Sequence, residues 1–166
     1  MLKQTILLKI LFIISFGNSQ WSVDPSEPKL IGQGIQPQVK ATSDGGVYIA
    51  WITDGNYHIY LQRLNLNGEI QFNDLGMLIS DNLNSSWIAI NHINLDVDSE
   101  DNAILTTVDQ RTGVWEVYAW KISPEGDLIW GEDGIVVTDY GLVNMSPRIS
   151  ILDDNSRLRI FLYKVW

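Results

Sequence analysis

The chain repeats itself, and an internal repeat constrains a fold more than any single motif. From Pro37 it runs PQVKATSDGGVYIAWITDGNYHIYLQRLNLNGEIQFNDLGMLIS, and from Ile93 it runs INLDVDSEDNAILTTVDQRTGVWEVYAWKISPEGDLIWGEDGIVVT, a period of about 56 residues. Tyr60, Gly68, Phe72, Gly76 and Ser80 fall on Tyr118, Gly126, Trp130, Gly134 and Thr138 at one constant offset, and Val39 falls on Leu95 at an offset two residues shorter. A third copy opens at Pro147-Arg148-Ile149 and reaches Trp166. Repeats of this length, built from short β-type runs and turn signals, belong to propellers and arrays in which no unit buries its own faces alone.

Each copy reads as four antiparallel strands. Gln38-Val39-Lys40-Ala41 leads into the turn Ser43-Asp44-Gly45-Gly46, VYIAWI has the β-branched and aromatic content of a strand buried on both faces, and YHIYLQRL alternates before turning at Asn67-Gly68 and returning as EIQF. The second copy repeats this with AILTTV, VYAWKI and LIW. No run pairs 3.6-periodic apolar positions with helix caps. The expected fold is therefore all-β, with four-stranded blades in a β-propeller-like array. About two and a half blades are expected, which predicts that the chain is the N-terminal part of a longer protein, that an oligomer completes the array, or that the fold is two stacked sheets and not a propeller.

The domain organisation follows: a signal peptide over 1–19, a lead-in over 20–36, repeats over 37–92 and 93–146, and a partial repeat over 147–166. Lys3 precedes the apolar run TILLKILFIISF, which is too short to span a bilayer and ends at Gly17-Asn18-Ser19, the layout of a secretory leader. Its removal takes Lys3 and Lys9 with it and moves the formal charge from −9 to −11. A surface that acidic repels phosphate backbones and anionic headgroups, which argues against nucleic-acid and membrane-surface partners, and after the leader no stretch is apolar enough to insert into a membrane. Cysteine is absent, which excludes disulfide scaffolds and thiolate chemistry.

These two copies, DGGVYIAWITDGNYHIYLQRLNLNGEIQFNDLGMLIS and DQRTGVWEVYAWKISPEGDLIWGEDGIVVT, resemble the β-propeller-like repeats of large secreted and cell-surface proteins of Bacteroidota-type bacteria. The resemblance covers nearly all of the chain after the leader and implies an exported or surface protein. Such proteins often end in a sorting or anchoring domain of the type IX secretion route; these 166 residues carry no segment of that kind, which adds to the expectation that they are part of a longer protein. Their molecular function is mostly unassigned, so the resemblance implies fold and location rather than an activity.

Two ends of the array differ in chemistry. One collects Asp44, Asp96, Asp98, Glu100, Asp101, Glu125, Asp153 and Asp154, and the run Asp96, Asp98, Glu100 has the alternate-carboxylate spacing of calcium loops. Asp101 and Thr107 stand where such a loop wants glycine and a bidentate glutamate, so a solvated acidic turn is the expectation, with calcium at Asp96, Asp98 and Glu100 the weaker alternative and no other cofactor expected. The other end collects Tyr57, Trp87, Trp115 and Tyr140 beside Asp54, Asp109 and Arg111. Exposed rings flanked by acids and amides suit sugar recognition, because a pyranose stacks its C–H face while its hydroxyls need polar partners. The same rings equally suit capping of stacked blades, the role favoured by the equivalence of Tyr57 and Trp115.

No catalytic arrangement stands out. His58 aligns with Glu116 and reads as a surface residue, and His92, at a blade junction, lacks triad or zinc partners at motif spacing. SPEGDLIW departs from the sialidase Asp-box at Glu125 and Asp127, and Asp54 with Asp109 is one chance pair among 20 acids. The sequence therefore points to an exported non-catalytic module, a scaffold or a binding surface for extracellular polysaccharide or protein, completed by further blades or by oligomeric partners. The alternative is the N-terminal part of a glycan-degrading or proteolytic enzyme whose active site lies elsewhere.

Overall fold

The computed structural model describes residues 24–82, 84–85, 88–89, 92–137, 144–151 and 158–164. The expected signal peptide over 1–19, Trp87, Tyr140, Asp153 and Asp154 lie outside them. The fold is all-β. Strands β1 (Ile35–Ala41), β2 (Val47–Ile52), β3 (Ile59–Leu64) and β4 (Met77–Ser80) form one antiparallel sheet in sequential order. Strands β5 (Asn94–Val97), β6 (Ala103–Asp109), β7 (Glu116–Ile122) and β8 (Ile135–Val136) form a second, and β9 (Asn144–Ile151) pairs with β10 (Leu158–Lys164) in a third. Among the described residues the one helical feature is a single turn at Ile88–Ala89, and the three sheets do not close on one another.

The opening hairpins show why the strands begin and end where they do. Thr42 N–H donates to Gly46 O at 3.0 Å and Gly45 N–H to Thr42 O at 3.2 Å, with Gly45 at φ 85°. In the second sheet Asp98 and Asn102 close the same turn, and Asp101 takes the left-handed position at φ 59°. Aspartate is among the few non-glycine residues that visit this region routinely. The β2–β3 loops account for the two-residue change of offset: Thr53 pairs with His58 across the first, whereas Asp109 pairs with Glu116 across a loop two residues longer.

The fourth strands lie later than the sequence suggests. EIQF and LIW each contribute only one bridge, Leu64 with Ile70 and Ile122 with Leu128, and the strands that pair with β3 and β7 are β4 and β8. A side chain interrupts the ladder in the first sheet: Gln62 Oε1 accepts from Phe72 N–H at 3.1 Å and Gln62 Nε2 donates to Asn73 O at 2.7 Å. In the second, Trp120 Nε1 donates to Glu132 O at 3.0 Å. With those backbone groups satisfied by side chains, the chain turns again at Gly76 or Gly134 before it pairs.

Strand alternation sorts the side chains into two faces per sheet. Tyr48, Ala50, Ile52, Ile59 and Leu61 turn toward the second sheet and pack with Leu95, Leu105, Tyr118, Trp120 and Ile122 in the largest core cluster. The opposite face of the second sheet, with Val108 and Val117, packs on Met145 of β9. Position by position, Tyr48, Ala50 and Ile52 correspond to Ile104, Thr106 and Val108, and Ile49 and Trp51 to Leu105 and Thr107. The first contact thus joins the Tyr48 face of the first sheet to the opposite face of the second, and the second sheet turns its own Tyr48-type face toward β9. The first strands converge, with β1 beside β5 and β5 beside β9. At one corresponding position on them Gln36, His92 and Ser146 adopt φ of 54°, 62° and 54°, uncommon for non-glycine residues. Gln36 links two sheets there, donating from Nε2 to Ala89 O at 2.7 Å while its Oε1 meets His92 Nδ1 at 2.9 Å.

Candidate functional site

The densest polar group sits at the β6–β7 end of the second sheet. Asp109 closes β6 and Glu116 opens β7 directly opposite it in register, so both carboxylates lie on the face turned toward the first sheet. Like charges directly opposed across two strands repel. Arg111 resolves this by folding back. Its Nε lies 3.0 Å from both oxygens of Asp109 and its Nη2 2.6 Å from Oδ2, while Nη1 donates to Asp133 O at 2.7 Å. The guanidinium carbon stands 3.6 Å from the Tyr118 ring centroid and 5.6 Å from that of Trp120, a cation–π stack at two rings. Glu116 Oε2 accepts from Thr112 Oγ1 at 2.7 Å and from Tyr118 Oη at 3.1 Å. Burial first, then the bond to Glu116 and the charges of Asp109 and Glu116, push the Tyr118 phenol up to about 12, against the pull of Arg111.

This unit leaves little chemistry unspent. Asp109 has no exposed surface, both of its oxygens face the guanidinium, and Glu116 is buried under two hydroxyl donors. Glu116 and Tyr118 were not candidates from sequence. The signal available was the register itself, since a hairpin that places Asp109 at a strand end places its partner at the start of the next.

The other sequence candidates separate. Trp115 is buried against Val108, Val117 and Met145, and Tyr57, at φ 59°, is half-buried against the core between the first two sheets. The two equivalent rings thus cover the outer ends of successive inter-sheet cores. Asp54 is exposed in the β2–β3 turn of the first sheet and so shares neither burial nor partners with Asp109. Trp87 and Tyr140 fall outside the described residues.

At the opposite end the acidic run is engaged with lysines and turn amides. Asp96 lies 3.2 Å from Lys40 Nζ and Asp98 2.8 Å from Lys121 Nζ. Asp98 Oδ1 also accepts from the Glu100 and Asn102 amides at 3.0 and 2.9 Å. Among the described residues no group of three or more His, Cys, Asp or Glu side chains is arranged to hold a metal ion. Burial pushes the Asp98 carboxyl upward, but Lys121, the Asn102 side chain and amide and the Glu100 amide outweigh it and hold the carboxyl below its ordinary range. A depressed folded pKa contributes stability that is complete above the unfolded value of about 3.9 and lost as pH falls through the folded one. Asp98→Asn should accordingly flatten the fall of unfolding free energy below pH ~4, as measured by urea titration at a series of pH values. An unchanged slope would count against the Lys121 pairing.

Cavities flank these groups. Two, of about 160 and 200 Å³, lie either side of Trp51 on the outer face of the first sheet, and a third of about 370 Å³ runs between β4 and the segment before β8, with Ser80, Asp81, Asn82, Glu132 and Asp133 along it. Comparison with known protein families, curated proteins and solved structures gives no match, so the geometry alone carries the functional interpretation.

Proposed function

We propose that the chain is an exported, non-catalytic module of propeller-like stacked sheets that serves as a scaffold or binding surface for extracellular polymer or protein. The carrying observation is the internal satisfaction of the Asp109–Arg111–Glu116–Tyr118 unit: its charged groups pair with one another under burial, the arrangement of a clamp between strands rather than of an acid and base facing a substrate. The converging first strands, with their row of left-handed residues at Gln36, His92 and Ser146, support the propeller-like geometry. The leader supports export.

Affinity electrophoresis against a panel of extracellular polysaccharides, with a reducing-end assay on the same mixtures, tests this. The expected result is retardation by at least one polymer with no new reducing ends. Asp54→Ala, exposed in the β2–β3 turn, should weaken that retardation about tenfold, equivalent to about 1.4 kcal/mol. New reducing ends that disappear in Asp54→Asn would replace the module with a glycosidase, and retention of protein ligands alone would remove the polysaccharide version.

A further inference from the structure

Four places in the sequence put a glycine directly after an aspartate or asparagine: Asp44-Gly45, Asp54-Gly55, Asn67-Gly68 and Asp133-Gly134. Each carries a latent reaction, because a glycine amide has no neighbouring Cβ to keep it away from the side-chain carbonyl carbon of the residue before it. Ring closure needs a free amide, a side chain free to swing onto it, and open space around the bond. The fold supplies these unequally.

Three of the pairs are held. Gly45 N–H donates to Thr42 O at 3.2 Å, and the Asp44 carboxylate is fixed by Thr42 Oγ1, by Gly46 N–H at 3.0 Å and by Arg63 Nη2 at 2.6 Å. Gly68 N–H donates to Asn65 O at 2.9 Å, while Gly68 O accepts from Lys29 Nζ at 2.6 Å. Gly134 N–H donates to Gly131 O at 3.1 Å, Asp133 O accepts from Arg111 Nη1 at 2.7 Å, and Gly134 packs against Ala119 O. Gly55 differs on every count. It is exposed together with Asp54 in the β2–β3 turn, and neither its N–H nor the Asp54 carboxylate has a partner among the described residues. An added Cβ on Gly55 would meet nothing within 4 Å. The turn is closed below this point, by Thr53 N–H to His58 O and His58 N–H to Thr53 Oγ1, both at 2.9 Å, so the Asp54–Gly55 link can rotate without opening the ladder. The matching loop of the second sheet, Gln110-Arg111-Thr112-Gly113, contains no such pair.

We propose that Asp54 is a site of spontaneous isoaspartate formation, and that of the three Asp-Gly pairs it alone isomerises at an unhindered rate while the chain is folded. Gly55 N attacks Asp54 Cγ. The new C–N bond forms as the amide proton and the carboxyl hydroxyl leave together as water, giving a succinimide. Water then opens the ring. Addition at Cγ restores aspartate, whereas addition at the Asp54 main-chain carbonyl breaks the original peptide bond, so that the backbone runs on through Cγ and the main-chain carboxylate becomes the side group. No atom is gained or lost overall, and the extra backbone carbon has room in the open turn. Isomerisation stands whether or not a polymer binds. Its displacement of a carboxylate from the surface tested above for retention is the one consequence that rests on the proposed function.

Timed incubation of the full chain, folded and in unfolding concentrations of urea, tests this, with peptide mapping that separates isoaspartyl from aspartyl peptides. Comparing each site with itself removes the intrinsic chemistry. Unfolding should accelerate isomerisation at Asp44 and Asp133 at least about tenfold, equivalent to about 1.4 kcal/mol for freeing a held amide, and leave the rate at Asp54 nearly unchanged. Asn67, which loses ammonia instead of water, should also accelerate on unfolding. Asp54→Asn, a mild change in an exposed turn, should speed the reaction at this site while keeping its indifference to unfolding. Isoaspartate that forms at Asp54 only in urea would overturn the proposal, and so would folded-state rates at Asp44 or Asp133 equal to that at Asp54.

Discussion

Replacing Arg111 by alanine is expected to destabilise the protein by about 3–5 kcal/mol, because it leaves a fully buried carboxylate without its counter-ion. The magnitude follows from position. An exposed pair contributes at most about 1 kcal/mol, but Asp109 has no contact with water to compensate the loss, and Glu116 faces it across the strands. The alanine also forfeits the stack on Tyr118 and Trp120 and the tie to Asp133 O that holds the segment before β8. Lysine should recover under half of the loss, since a point charge replaces neither the two-pronged contact nor the planar stack. Urea unfolding followed by tryptophan fluorescence measures both. Adding Asp109→Asn to the alanine variant should restore part of the stability by removing the stranded charge, with a coupling energy above about 1 kcal/mol. A loss below that for Arg111→Ala would mean water reaches Asp109 and the clamp is not the structural unit described.

The parts of this fold that were legible in the sequence are those governed by local chemistry. Turn residues at Gly45, Asp101, Gly68 and Gly126, together with strand alternation, suffice to read two four-stranded antiparallel units. The position of the fourth strands was not legible, because it depends on Gln62 and Trp120 spending side-chain donors on the chain that follows them, and a glutamine or tryptophan in a strand carries no mark of that use. The candidate site divides in the same way. Asp109 and Arg111 are two residues apart and could be singled out as neighbours. Glu116 and Tyr118 join them only through register across a loop whose length differs between the copies. The equivalence of Trp115 with Tyr57 already favoured a capping ring, but its partner Met145 of β9 lies about thirty residues on, a contact that no local pattern announces.

Trp120→Ala should be comparably damaging, at about 3–5 kcal/mol, and the reason distinguishes the two sheets. Each sheet holds one indole against the glycine before its last strand, supplied by a different strand. In the first, Trp51 of β2 lies over Gly76, where an added Cβ would come within 2.4 Å of its ring, and Gln62 of β3 fills the neighbouring position. In the second, Thr107 replaces the tryptophan and Trp120 of β7 replaces the glutamine, with a Cβ on Gly134 only 2.7 Å from its ring and 2.6 Å from Ala119 O. The two arrangements fill an equivalent slot, so losing either ring opens a void that the rigid strands around it cannot collapse. Trp120 has no exposed surface and also donates to Glu132 O, so its removal orphans a turn carbonyl as well. This compensation predicts a rescue. Trp51→Thr alone should cost about 3 kcal/mol, and adding Gln62→Trp, which supplies the ring from β3 as β7 does in the second sheet but removes the side-chain partners of Phe72 N–H and Asn73 O, should return about 1 kcal/mol of it. If the double variant is no more stable than Trp51→Thr, the slots are not equivalent, and the matching glycines are then a coincidence of turn geometry.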